Sequence, residues 1–180
     1  METGAASSNS KALKYAQCYR DLESRLNSSQ TEAQQQKALC EVLASAFKDT
    51  FNFVGFYDLR PEVDPGKVFI GEYVSELVFP CGEIALGKGQ CGQCAAEERV
   101  MIAYDVKTLD NYIACDDDTQ SEIVLPCFIS EDECSGDAGG TGGAKARRLR
   151  TLLDIDSTVV GNFDEEDQKG LEKLISLIYN

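Results

Sequence analysis

Phe51-Asn52-Phe53-Val54-Gly55-Phe56-Tyr57 is the stretch in which the apolar rhythm of this chain changes. From Phe51 the spacing drops from the helical period to two, which predicts a strand with Phe51, Phe53 and Tyr57 on one face and Val54 and Phe56 on the other. Upstream, residues 11–27 read as a helix closed by Asn27-Ser28-Ser29. Thr31 with Gln34 is a capping-box pair that opens a second helix, whose buried face is Leu39, Val42, Leu43 and Ala46. Downstream, strands are expected over residues 68–79 (one long strand or a pair broken near Ser75), 83–86, 100–106, 123–129 and 147–158. A short helix interrupts them at 91–98, and a last helix starts at Asp164 with Leu171, Leu174, Ile175 and Ile178 as its stripe. Consecutive strands without crossover helices predict an antiparallel sheet flanked by helices, the α+β class.

The length of 180 residues fits one domain, expected over 11–180. Residues 1–10 read as a disordered lead, and the glycine-rich stretch near 131–146 as a flexible surface insertion. A net charge of −14 repels nucleic acid and anionic lipid, so neither is an expected partner. No stretch reads as a signal peptide or a membrane span, and a cytoplasmic location is expected.

The chain has eight cysteines and no histidine. In a reducing compartment the thiols are core filler, metal ligands or redox groups rather than a structural framework. Without histidine, any chemistry falls to thiols and carboxylates. Cys18, Cys40 and Cys127 lie at apolar positions and read as core. Cys94 reads as packing on the short helix, and Cys134 as exposed beside the insertion. Two other cysteines lie in loop-like segments. Cys91 sits in Gly87-Lys88-Gly89-Gln90-Cys91-Gly92, whose glycines mark a sharp bend and a close backbone approach. Cys115 sits in the polar loop 105–120, of a length usually kept for function.

Asp154 and Asp156 share one strand face with Leu152, and Glu122 opens the strand after the Cys115 loop. Paired carboxylates read most simply as an exposed face, because burying them without a cation is costly. A ligand ammonium between them changes that balance. Cys91 and Cys94 form a CxxC to which Cys81 and Cys115 could add two thiolates, but a lone CxxC is a weak zinc signal and no metal is expected.

The ordered set Asn52-Phe53-Val54-Gly55-Phe56-Tyr57, Gly87-Lys88-Gly89-Gln90-Cys91-Gly92, Ile113-Ala114-Cys115-Asp116, Ser121-Glu122-Ile123-Val124-Leu125-Pro126, Leu153-Asp154-Ile155-Asp156-Ser157 and Phe163-Asp164-Glu165-Glu166-Asp167 resembles the free methionine-R-sulfoxide reductases, which are single GAF domains. The resemblance covers roughly residues 31–180. It implies a GAF-like six-stranded antiparallel sheet flanked by helices. It also implies reduction of free L-methionine (R)-S-oxide to L-methionine through a cysteine sulfenic acid and an intramolecular disulfide. No cofactor is implied beyond an external thioredoxin-like dithiol reductant; related domains often form a homodimer, and the oligomeric state stays open.

Carried over by position, Cys115 is the catalytic thiol, Cys81 the resolving thiol, and Cys91 a third family cysteine able to pair in a second disulfide. Which of Cys81 and Cys91 resolves Cys115 stays open. Glu122, Asp154 and Asp156 match carboxylates that bind and polarise the substrate. Phe53 and Tyr57 match aromatic wall positions, where the family more often has tryptophan at position 53. The three aspartates after Cys115 raise its thiol pKa, an effect that the substrate ammonium and local backbone dipoles are expected to offset. The alternative reading is a non-catalytic GAF-type sensor of a small ligand or of redox state.

Overall fold

The alternation at Phe51 becomes strand β1 (Phe51–Leu59) of a computed structural model that describes residues 3–75, 80–130 and 147–179. Five further strands join it: β2 (Lys67–Ser75), β3 (Glu83–Ala85), β4 (Met101–Ala103), β5 (Ser121–Ser130) and β6 (Arg147–Ser157). They form one antiparallel sheet in the order β3-β2-β1-β6-β5-β4. Helices α1 (Thr3–Arg25), α2 (Glu32–Ala46) and α4 (Glu165–Ile175) share one apolar core with one sheet face, while α3 (Gly89–Glu97) covers the other. No helix among the described residues is long and apolar enough to cross a membrane.

Local chemistry explains the helix ends. Thr31 and Gln34 form both halves of the expected capping box on α2. Asp164 caps α4 by accepting from the N–H groups of Glu166 and Asp167, and the Asp167 side chain returns the bond. Asp167 also accepts from Lys11 and from the Tyr15 hydroxyl, which ties α1 to α4. Helix α1 starts at Thr3, within the segment expected as a disordered lead. Once a turn is anchored at Lys11, each residue added ahead of it gains a helical bond without a new nucleation cost.

The helix-side core holds Leu22, Leu39, Leu43, Val54, Phe56, Leu153, Ile155, Leu171 and Leu174. Each such side chain contributes about 1.5–3 kcal/mol by leaving water. Cys18, Cys40 and Cys127 are buried in the same cluster, as their apolar settings predicted.

Phe51 departs from expectation. It packs in the helix-side core, whereas Phe53 and Tyr57 belong to the opposite cluster. The cause is a bulge at Asn52, between the pairs Phe51–Ser157 and Phe53–Asp156, which flips the alternation. The strand expected over 100–106 is also shorter. The Asp105 side chain accepts from the Lys107 N–H and turns the chain into a 3-10 turn at Val106–Thr108. The glycine-rich stretch 131–146, with Cys134 and the Glu131-Asp132-Glu133 run, lies outside the described residues, as do residues 76–79 of the long strand reading.

Candidate active site

Sheet register assembles the acidic groups. Glu122 on β5 is paired with Asp156 on β6, and Val124 with Asp154, so Glu122, Asp154 and Asp156 meet on the face covered by α3. They are buried, at 6, 6 and 9% exposure, which overturns the simple reading of an exposed sheet face. On the other side of β6, Phe53 pairs with Asp156 and Gly55 with Asp154. A side chain at Gly55 would meet the Phe53 ring at 2.5 Å, so the glycine lets that ring lie over the strand as an apolar wall.

The roof comes from the glycine-rich bend. Gly87 and Gly89 have φ of 77° and 58°, which favour glycine, and they turn the chain into α3. A Cβ on Gly92 would lie 2.2 Å from the Ala85 carbonyl oxygen, so the close approach foreseen here is real. Gly92→Ala is expected to destabilise the fold by about 1–3 kcal/mol and lower the Tm by several degrees, measured by thermal melts of the reduced protein.

The loop after Thr108 closes the mouth. Asn111 donates to the Gly87 carbonyl at 2.9 Å, and Ile113 packs against Gly89. Cys115 is joined to Cys81 in a disulfide, with the Cα atoms 5.6 Å apart. The Tyr57 hydroxyl donates to the Cys81 carbonyl at 3.0 Å and holds that partner in place. Phe53, Tyr57, Cys91, Cys115, Glu122, Asp154 and Asp156 all line one small cavity of about 40 Å³. Cys81 reaches it through the disulfide, so every site residue expected from the sequence converges here.

Among the described residues, the cavity lining contains no lysine or arginine. Three buried carboxyl groups without a cation hold protons that exposed ones would lose. Burial pushes Glu122 well up, and the charges of Asp154 and Asp156 add to it. Burial also raises Asp156, helped by Asp154 and Asp116 and opposed by Thr119. Asp154 is pushed up by burial to about 7, against hydrogen bonds from Cys91 and Glu122 that favour its charged form and limit the rise. Cys91 stays a thiol, because burial and the same carboxylates raise it well above its usual value.

The four-thiolate zinc set does not form. Cys81 and Cys115 are bonded to each other, and Cys94 is buried with its sulfur 3.8 Å from the Val124 carbonyl. Among the described residues, the trio spaced to hold a metal ion is Cys91, Glu122 and Asp154, with donor atoms within 4.8 Å of one another.

Sequence reasoning missed Gln90, Tyr112 and Ser75, which also line the cavity. Gln90 had a signal, since it sits between a glycine and a cysteine in the bend; Tyr112 and Ser75 had none beyond proximity to a loop.

Among curated relatives, the chain is 33% identical over 125 residues to the free methionine-R-sulfoxide reductase of Escherichia coli K12, covering 69% of this chain. It spans only 62% of the length of that relative. It is 30% identical over 140 residues to GAF domain-containing protein A of Dictyostelium discoideum, covering 77% of this chain and 75% of that one. Among solved structures, the free methionine-R-sulfoxide reductase of Neisseria meningitidis in complex with its substrate matches with a TM-score of 0.77 and 27% identity, over 93% of this chain and 87% of that one. No family model matches the chain.

Fold and site together define a GAF domain with a thiol–carboxylate pocket on its sheet. The chain belongs to the family of GAF-domain proteins that includes the free methionine-R-sulfoxide reductases.

Proposed function

We propose that this protein reduces free L-methionine (R)-S-oxide to L-methionine. The observation that carries the reading is a disulfide between Cys81 and Cys115 at the mouth of a cavity lined by three buried carboxyl groups and, among the described residues, no basic side chain. A sulfoxide sulfur becomes electrophilic when its oxygen is protonated or strongly hydrogen-bonded. The crowded Glu122–Asp154–Asp156 cluster retains a proton for that purpose at neutral pH.

The Cys115 thiolate attacks the sulfoxide sulfur, methionine leaves, and the oxygen stays on Cys115 as a sulfenic acid. The Cys81 thiol then attacks the Cys115 sulfur, water departs, and the disulfide closes. A thioredoxin-like dithiol reopens it by exchange and carries away the two electron equivalents as its own disulfide. No further cofactor enters the scheme. A cytoplasmic setting, where thiols are kept reduced, belongs to the same reading.

Specificity for the free amino acid follows from the lining. The ammonium group takes the place of the missing cation among the carboxylates. The carboxylate has a seat at the start of α3. Lys88 gives no side-chain cap there, so the first-turn N–H groups of Gly89, Gln90 and Cys91 are available to an anion. The Gln90 carboxamide, 9% exposed, adds a further donor.

The test is NADPH-coupled turnover with thioredoxin and thioredoxin reductase, comparing free methionine-R-sulfoxide with its N-acetyl derivative. Blocking the amine removes the cation, and kcat/KM is expected to fall at least about a hundredfold. Equal rates for the two substrates overturn the reading.

A further inference from the structure

Asn52 is held in an arrangement that the reaction scheme leaves unused. It occupies the bulge where β1 slips against β6, and bulges re-aim the side chains they carry. Its carboxamide reaches across to the Cys115 loop, where Nδ2 donates to Asp116 Oδ2 at 2.9 Å and to Thr119 Oγ1 at 3.0 Å. The other Asp116 oxygen accepts from the Asp118 N–H at 3.0 Å. The Asn52 carbonyl is itself fixed by Ser75 Oγ at 3.2 Å. Asn52 and Thr119 are 7% and 2% exposed.

This geometry has a cost. Asn52 Oδ1 is buried without a hydrogen-bond partner among the described residues, and a bare buried acceptor is destabilising. Turning the amide over gives no relief, because it sets that oxygen against the Asp116 carboxylate. The fold alone has little use for an amide at this point, whereas the loop it grips carries the thiol next to Asp116.

We propose that Asn52 is a positioning residue, a latch that pins the Cys115 loop to the sheet and engages the Asp116 carboxylate, so that Cys115 stands opposite Cys81 and above the carboxylate cluster. The catalytic consequence rests on the reductase reading. The positioning itself does not, because disulfide closure reports it without substrate.

The experiment uses the reduced full chain. One equivalent of hydrogen peroxide oxidises Cys115 to the sulfenic acid, and mass spectrometry follows Cys81–Cys115 closure; iodoacetamide labelling of Cys115 is titrated against pH in parallel. Asn52→Asp keeps the shape but sets two carboxylates against each other. Closure is expected to slow about tenfold and the labelling midpoint to move to higher pH. The exchange Asn52→Asp with Asp116→Asn restores a donor–acceptor pair of reversed polarity, and closure is expected to return to within about twofold of the parent.

Wild-type closure in Asn52→Asp, or no recovery in the exchange, overturns the proposal. If Asn52→Asp fails to fold, Asn52→Ala is read against the same thresholds. A chain that follows the expected pattern yet turns over no methionine sulfoxide refutes the substrate and leaves the latch standing.

Discussion

Cys115→Ser loses turnover of free methionine-R-sulfoxide by at least about a thousandfold, because the attacking sulfur is gone and serine's hydroxyl is a poor nucleophile with no nearby histidine to activate it. The expected result is absence of NADPH consumption in the thioredoxin-coupled assay, and no Cys81-containing disulfide after exposure to substrate. Cys81→Ser separates the two halves of the cycle. It still transfers oxygen once, releasing about one methionine per chain, but the sulfenic acid on Cys115 then waits unresolved and is trapped by dimedone. The position of Cys81 supports this division, since its backbone is held by the Tyr57 hydroxyl and its sulfur is already bonded to Cys115. Full multiple turnover by Cys115→Ser sinks the assigned role.

Asp154→Asn carries the second large effect, and its two readouts point in opposite directions. Replacing the carboxyl group at the centre of the cluster leaves a hydrogen-bonding amide beside Glu122 and Cys91 but removes the titratable proton, which disturbs proton delivery. The expected loss in kcat is about 10²–10³-fold, the usual reach of a positioned acid. Stability moves the other way.

Burial raises the folded-state pKa of Asp154 to about 7, above its value in the unfolded chain. Proton binding by this group therefore favours the folded state. That contribution is full at acid pH below the unfolded value, and it declines as pH rises through about 7. At pH 8 the wild type retains the charged, buried carboxylate and the asparagine variant does not. The variant is expected to be more stable there by on the order of 1–4 kcal/mol, with the difference shrinking towards pH 5. Thermal melts across that range test the sign. A variant less stable than wild type at pH 8 and equal at pH 5 contradicts the raised pKa. The same protonation predicts wild-type kcat falling on the alkaline side of about pH 7.

Much of the fold was legible because its determinants act over a few residues. Capping at Thr31 and the helix start at Asp164, alternation along β1 and β6, the nearly continuous apolar run of β5, and the glycine-marked bend before Cys91 each leave a local trace. The departures also have local causes that a residue string does not display. Nothing in Phe-Asn-Phe announces that the middle residue is bulged, yet that one extra residue sends Phe51 to the helices and Phe53 to the cavity. Asp105 similarly ended a strand early by capping the next turn.

The residues alone specify the chemical inventory: thiols and carboxylates, no histidine, a net charge of −14, and the order of strands and helices that the patterns encode. The tertiary structure decided which of those groups meet. Pairing of Glu122 with Asp156, the bridge from Cys81 to Cys115, and the reach of Asn52 to Asp116 join residues far apart in the chain. Such contacts depend on sheet register and on where a loop closes, and these are set by burial summed over the whole domain rather than by any single segment.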